Sequence, residues 1–198
     1  YFNSLSLIDN KLNLVQNYNK INLVPFGEFL PFENLLNKIG LKTITNKIGS
    51  FTRGGERKII HIKDNLQEFK FLPLICYEII YTGSLTKNND YDFIINISED
   101  GWFGSSIGPK QHFAHSIFRA IETGKYVIRS ANNGMTAIIN PLGEIEKKID
   151  YNNNGFIDFE KRRDLDPTVF SLYGNKIFIL LILLYIFLIF SFNRLKDD

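Results

Sequence analysis

Apolar and polar positions divide the chain into short alternating elements. Phe71–Ile75 and Phe93–Ile97 are apolar runs bounded by polar or turn residues, the pattern of central strands buried on both faces. Tyr126–Ser130 and Met135–Asn140 continue it, the second closed by an Asn140-Pro141-Leu142-Gly143 turn. From Gln111 to Thr123 the period becomes helical: Phe113, Ala114, Ile117, Phe118 and Ile121 share one face, and Gly124 ends the helix. Glu33–Ile48 is a weaker helical stretch, interrupted by Gly40. Strand and helix patterns interleave without a repeat, which predicts an α/β or mixed α+β class with a covered sheet over residues 1–161.

The C-terminal pattern is different. Ile177 to Phe192 is sixteen residues without a charge, of which fourteen are Ile, Leu or Phe. A helix that is apolar on every face needs either lipid or a much larger protein around it. The stretch between Lys176 and Arg194 spans roughly 25 Å as a helix, and flanking cations can snorkel toward headgroups across a core about 30 Å thick. The expectation is one transmembrane helix over 177–192, joined by a connection at 162–176 and followed by a polar tail at 193–198. Positive charges lie on both sides of the run, so orientation does not follow from it. The chain starts at Tyr1 and shows no signal-peptide pattern, which reads as part of a longer chain.

Composition removes several function classes. The 198 residues are 44% hydrophobic and 22% charged, an ordinary balance for a folded domain. Lys and Arg number 23 against 21 Asp and Glu with no contiguous basic block, which argues against a nucleic-acid partner. Cys76 is the only cysteine, so neither an internal disulfide nor a multi-cysteine metal site can form.

Cys76 follows the Phe71–Ile75 run directly. A nucleophile where a strand turns into a helix is held rigidly, with backbone N–H groups available to an oxyanion. Only about 3% of a free thiol ionises at pH 7, so such a cysteine needs a cation or base beside it; read alone, a lone cysteine after an apolar strand is more often a packed, inert core residue. Lys20 opens a segment in which Pro25, Gly27 and Pro31 shape a loop carrying Glu28, yet each alone also reads as a solvated residue. His112 and His115 are one helical turn apart but lack a third ligand at metal spacing, and read as polar helix-face residues. A Cys–His pair with either of them, or with His61, has no local motif behind it.

In order along the chain stand Tyr18-Asn-Lys20, Leu23-Val-Pro-Phe-Gly-Glu28-Phe-Leu-Pro31, Ile75-Cys76-Tyr77-Glu78-Ile79, Trp102-Phe103-Gly104, Ile107-Gly108-Pro109, Gln111-His112, Arg119-Ala120-Ile121-Glu122, Arg129-Ser130-Ala131-Asn132-Asn133-Gly134 and Pro141-Leu142-Gly143-Glu144-Ile145. This series resembles the bacterial apolipoprotein N-acyltransferases, membrane enzymes of the nitrilase (carbon–nitrogen hydrolase) superfamily, over nearly the whole chain.

The resemblance implies a partial nitrilase-like αββα sandwich and a Glu–Lys–Cys triad with Lys20 as the lysine and Cys76 as the nucleophile. It makes Glu28 a second functional glutamate, Tyr77 and Glu78 the nucleophile's flanking residues, and Asn3 a functional asparagine; Arg53 falls in a recurring motif without a role. The implied reaction moves a fatty acyl chain from a phospholipid, through a thioester, to the N-terminal amine of a diacylglyceryl-modified apolipoprotein. It implies no cofactor or metal, and a catalytic domain facing the periplasm from the inner membrane. Two departures stand out. The family's general-base glutamate precedes the stretch matching Asn3, so the chain alone is expected to be inactive; and Glu99-Asp100-Gly101 stands where the family often has Asn-Asp-Ala. A membrane-tethered amidase and a catalytically dead binding fragment are the alternatives.

Overall fold

Sheet formation follows the apolar runs. In the computed structural model, which describes residues 1–32, 50–63, 68–83, 85–86, 89–160 and 165–194, they form the middle of a six-stranded sheet. The helical stretch expected over Glu33–Ile48 lies outside the described residues. The strands β3 (Ile60–Lys63), β4 (Glu68–Ile75), β5 (Phe93–Glu99), β6 (Tyr126–Asn132), β7 (Thr136–Ile139) and β8 (Ile145–Ile149) lie side by side in chain order. The β4, β5 and β6 neighbours are parallel and the outer pairs antiparallel. Pro73 is compatible with β4 because β3 pairs only as far as Phe71, so Pro73 lies past the end of that ladder.

A parallel pair needs a crossover, and α1 (Gly108–Thr123) supplies it between β5 and β6. Pro109 occupies its first turn, and Gly124, at φ 67°, ends it in the left-handed conformation. A Cβ at Gly124 would lie 2.6 Å from the Asp166 carbonyl, so only glycine lets the later chain cross the helix end this closely.

Both faces of the sheet are covered. On one, Leu72 and Leu74 of β4, Ile94 of β5 and Val127 of β6 pack with Phe113 and Ala120 of α1. On the other, Phe71, Ile75, Phe93, Tyr126 and Ile138 pack beneath a separate hairpin of β1 (Ser4–Ile8) and β2 (Leu14–Asn19), which contributes Tyr18, Leu5 and Leu7. The period-2 alternation of each strand sorts its side chains between the two cores. A helix, the main sheet and a second small sheet therefore stack as layers, as the expected nitrilase-like α/β class requires.

Beyond β8 the chain returns to the end of α1. Thr168 Oγ1 donates to the Glu122 carbonyl at 2.6 Å and caps the short α2 (Val169–Tyr173) by accepting from Ser171 N at 3.2 Å. The apolar run expected to be transmembrane is the helix α3 (Lys176–Arg194), and its side chains from Phe178 to Phe190 are exposed throughout. Among the described residues, no helix is long and apolar enough to cross a membrane; at about 1.5 Å per residue the uncharged stretch falls short of a hydrocarbon core about 30 Å thick.

Leu74 is fully buried between β4 and α1. Leu74→Ala should cost about 2–5 kcal/mol, measured as a lower midpoint in urea unfolding.

Candidate functional site

Cys76 occupies a strained position. It follows β4 at φ 50°, a left-handed conformation uncommon outside glycine, and begins a 3₁₀ turn, Cys76–Ile80. Bonds on both sides hold it there. The Glu78 carboxylate accepts from Ile75 N at 2.9 Å, Asn96 Nδ2 donates to the Leu74 carbonyl at 3.0 Å, and His112 Nε2 lies 3.2 Å from the Cys76 carbonyl. N–H groups that open such a turn have no partner within it, which leaves the Tyr77 N–H suited to an oxyanion.

Lys20 comes from the other sheet, immediately after β2, and is 1% exposed. A buried ammonium requires a counter-charge, and Glu28 Oε2 provides it at 2.7 Å from Nζ. Glu28 also accepts from Asn3 Nδ2 at 2.7 Å and Val24 N at 2.8 Å, while Lys20 N donates to the Asn3 carbonyl at 2.8 Å. Asn3, Lys20 and Glu28 thus form one unit. Gly54 donates from its N–H to the Lys20 carbonyl at 2.8 Å, and a Cβ there would sit 2.1 Å from the Asn19 carbonyl. The need for close approach at Gly54 accounts for the motif around Arg53, whose own side chain is exposed.

Glu78 joins the two sheets. Fully buried, it accepts from Tyr18 Oη at 2.8 Å, Ile21 N at 3.0 Å, Asn22 N at 3.1 Å and Arg57 at 3.1 Å, besides Ile75 N. Burial opposes the Arg57 charge, but Glu78 and Tyr18 together more than offset it, so the Arg57 pKa lies above its ordinary value. Burial, with Glu78 beside it, pushes the Tyr18 phenol well up as well. Although next but one to the nucleophile, Glu78 anchors the Lys20 segment rather than lining the cavity.

A second buried network lies behind Cys76, on the α1 side of the sheet. His112 Nδ1 is 2.9 Å from Asp100 Oδ1, Arg129 donates to Asp100 Oδ2 at 2.7 Å, and Arg129 also donates to Asn96 Oδ1. His112, expected as a polar helix-face residue, is thus buried and supports the Cys76 carbonyl. His115 is apart from this network and packs on Phe118. The sequence signal that could have exposed the network was a polar Asn96 and a basic Arg129 inside otherwise apolar strands. Burial works to raise the Asp100 pKa, but its bonds to His112, Arg129 and Ser98 outweigh burial and hold it below the usual carboxylate value.

These elements enclose a cavity of about 560 Å³, lined among others by Asn3, Lys20, Glu28, Cys76, Tyr77 and Glu99. Val24, Phe51, Ile75, Ile97, Trp102 and Phe103 make its wall largely apolar. Among the described residues, no group of three or more His, Cys, Asp and Glu could hold a metal ion. The arrangement offers a thiol nucleophile, a cation and a backbone oxyanion donor around one apolar chamber.

Residues 1–160 match the carbon-nitrogen hydrolase family. The chain is 42% identical over 159 residues to an apolipoprotein N-acyltransferase of Rhizobium leguminosarum bv. trifolii, covering 80% of this chain and 29% of that protein. It is 36% identical over 199 residues to an apolipoprotein N-acyltransferase of Rickettsia prowazekii, covering 100% of this chain and 39% of that protein. The chain thus spans about a third of the length of these curated relatives. A CN-hydrolase superfamily protein from Xanthomonas campestris, solved with an arsenic adduct in its active site, has the same fold. It superposes with a TM-score of 0.51 at 17% identity, covering 77% of this chain and 54% of that one.

Two outcomes follow from the buried carboxylates. Glu78→Gln removes the charge that balances Arg57 and should lower stability by about 3–5 kcal/mol, read by urea unfolding. A carboxyl whose folded pKa is depressed stabilises the fold above its unfolded pKa, near 3.9, and loses that contribution as pH falls through the folded value. The wild-type unfolding midpoint should therefore drop more steeply below about pH 4 than that of Asp100→Asn.

Proposed function

The chain belongs to the carbon-nitrogen hydrolase family, and on that premise we propose that its Cys76 carries a fatty acyl chain from a phospholipid to the N-terminal α-amino group of a diacylglyceryl-cysteine apolipoprotein. One observation carries this reading: Cys76 and Lys20, from separate sheets, line the same largely apolar cavity, whose volume of about 560 Å³ suits an acyl chain. The names of the curated relatives supply the substrate class.

In the first half-reaction the Cys76 thiol gives its proton to a general base, which the resemblance assigns to a glutamate preceding Asn3. The thiolate attacks the acyl ester carbonyl, and the Lys20 ammonium and Tyr77 N–H receive the oxyanion. Collapse breaks the ester C–O bond; the lysophospholipid leaves with the proton, and a thioester remains on Cys76. In the second, the acceptor amine attacks the thioester carbonyl. A C–N bond forms, the C–S bond breaks, and the amine's proton returns to the sulfur. Both steps pass through an oxyanion at the same place, so one set of donors serves twice. Glu28 and Asn3 hold the Lys20 ammonium on the cavity wall, and Glu78 ties the Lys20 segment to the nucleophile's turn.

Both substrates are lipidic, and α3 gives the domain a means to reach them. Its exposed apolar surface has lipid as its natural surroundings. This supports attachment to a membrane; the inner membrane and a catalytic domain facing the periplasm are what the family resemblance implies.

Exposing the enzyme, in a longer chain that carries the base glutamate, to phospholipid vesicles should add the mass of one acyl chain at Cys76, removable by hydroxylamine and absent from Cys76→Ser. Unmodified Cys76 in a preparation that transfers acyl chains would overturn the thioester. Lys20→Met should slow loading by about 10²-fold or more, followed by intact-protein mass spectrometry.

A further inference from the structure

Among the described residues, Glu99 is the one charged group on the cavity wall that the scheme above leaves unused. The wall's other carboxylate, Glu28, is neutralised by Lys20 at 2.7 Å, and His112 is bound to Asp100. Glu99, by contrast, has only neutral donors among the described residues. Gly101 N donates to Oε1 at 2.6 Å, Asn133 Nδ2 approaches Oε1 at 3.4 Å, and Asn132 Nδ2 donates to Oε2. These bonds fix the carboxylate without cancelling its charge.

The sheet register puts that charge beside the nucleophile. Ile97 pairs with Ile75, so Glu99, two residues further along β5 and on the same face, stands one strand away from the turn that carries Cys76. Neighbouring strands are about 4.8 Å apart, which puts a group held by Glu99 within reach of an acyl carbon on the sulfur. Trp102, 72% exposed, lines the same cavity and offers a π face nearby. A fixed carboxylate with an indole is a setting for a cation. Residue 101 fits this arrangement: a Cβ there would lie 2.5 Å from Glu99 Oε1, so the glycine is what lets the carboxylate settle where it does. These are the two positions at which the chain has Glu and Gly where the resembled family often has Asn and Ala.

We propose that Glu99 and Trp102 form a subsite that receives the N-terminal group of the acyl acceptor as an ammonium beside Cys76, where it gives one proton to water before the free amine attacks the thioester. The acceptor is favoured over a phospholipid headgroup because its amine must come to the acyl carbon itself, whereas a headgroup amine is separated from the ester by the glycerol and phosphate. This rests on the reading of Cys76 as the acyl carrier.

The cation preference can be tested apart from that reading, because Cys76 is the only thiol in the chain. Its modification rates by a trimethylammonium-bearing and a sulfonate-bearing methanethiosulfonate give a ratio. Glu99→Gln, which retains hydrogen-bond acceptors, should lower this cation-to-anion ratio about tenfold, and Gly101→Ala, which displaces the carboxylate, should lower it in the same direction. A ratio unchanged in both variants overturns the subsite. In acyl transfer, Glu99→Gln should raise KM for a diacylglyceryl-peptide amine about tenfold, with a smaller change in kcat. The ratio of loading rates from phosphatidylethanolamine and phosphatidylglycerol should stay as in the wild type. A fall in that loading ratio with an unchanged acceptor KM assigns the subsite to the donor headgroup and overturns the proposal. If the probes respond to Glu99→Gln but wild-type Cys76, in a longer chain that carries the base glutamate, never loads an acyl chain, the acyl-carrier reading fails while the cation site stands.

Discussion

The buried carboxylate of Glu78 is the point on which the site's construction depends. It sits in the 3₁₀ turn of the main sheet but takes most of its hydrogen bonds from residues belonging to the second sheet and the segment after it: Tyr18, Ile21 and Asn22. A buried charge stays ionised only when its lone pairs are met, so the bonding that makes Glu78 tolerable also fixes the distance between the two sheets. Lys20 lies between Tyr18 and Ile21 and is carried to the cavity by that constraint. The left-handed turn at Cys76 is held by the same carboxylate through Ile75 N.

The His112–Asp100–Arg129–Asn96 network does the complementary work from the α1 face. It sits under the carbonyls of Leu74 and Cys76, one from the strand and one from the turn, and keeps the chain direction change in register. Strain at Cys76 is thus opposed by polar contacts from both faces of the sheet. The apolar cores around them exclude water, which strengthens those contacts.

What the sequence revealed depended on how far a signal had to travel along the chain. The strands around Leu72, Ile94 and Val127 were legible because burial on both faces writes a continuous apolar run. The hairpin β1–β2 left no such mark: one of its faces is exposed and its core contribution is a few alternate residues such as Leu5, Leu7 and Tyr18. Motif order singled out Asn3, Lys20, Glu28, Cys76, Tyr77 and Glu78, and the fold brings these positions to one end of the sheets. The work of His112 was hidden, since its partners come from the residue after β5, from β6 and from the turn after β4, and spacing along one helix says nothing about three other segments. Glu78 was marked as a neighbour of the nucleophile, whereas its role in joining the sheets needs the segment 57 residues earlier.

The helix α1 links two ends of the molecule that have different tasks. His112, near its start, supports the Cys76 carbonyl, and Glu122, near its finish, receives Thr168 at the entrance to α2 and α3. Ten residues of helix separate them, about 15 Å at 1.5 Å per residue. A rod of that length sets a fixed separation: the turn at Cys76 and the start of α2 sit at the two ends of one rigid element, and a displacement at either end is carried along the helix to the other.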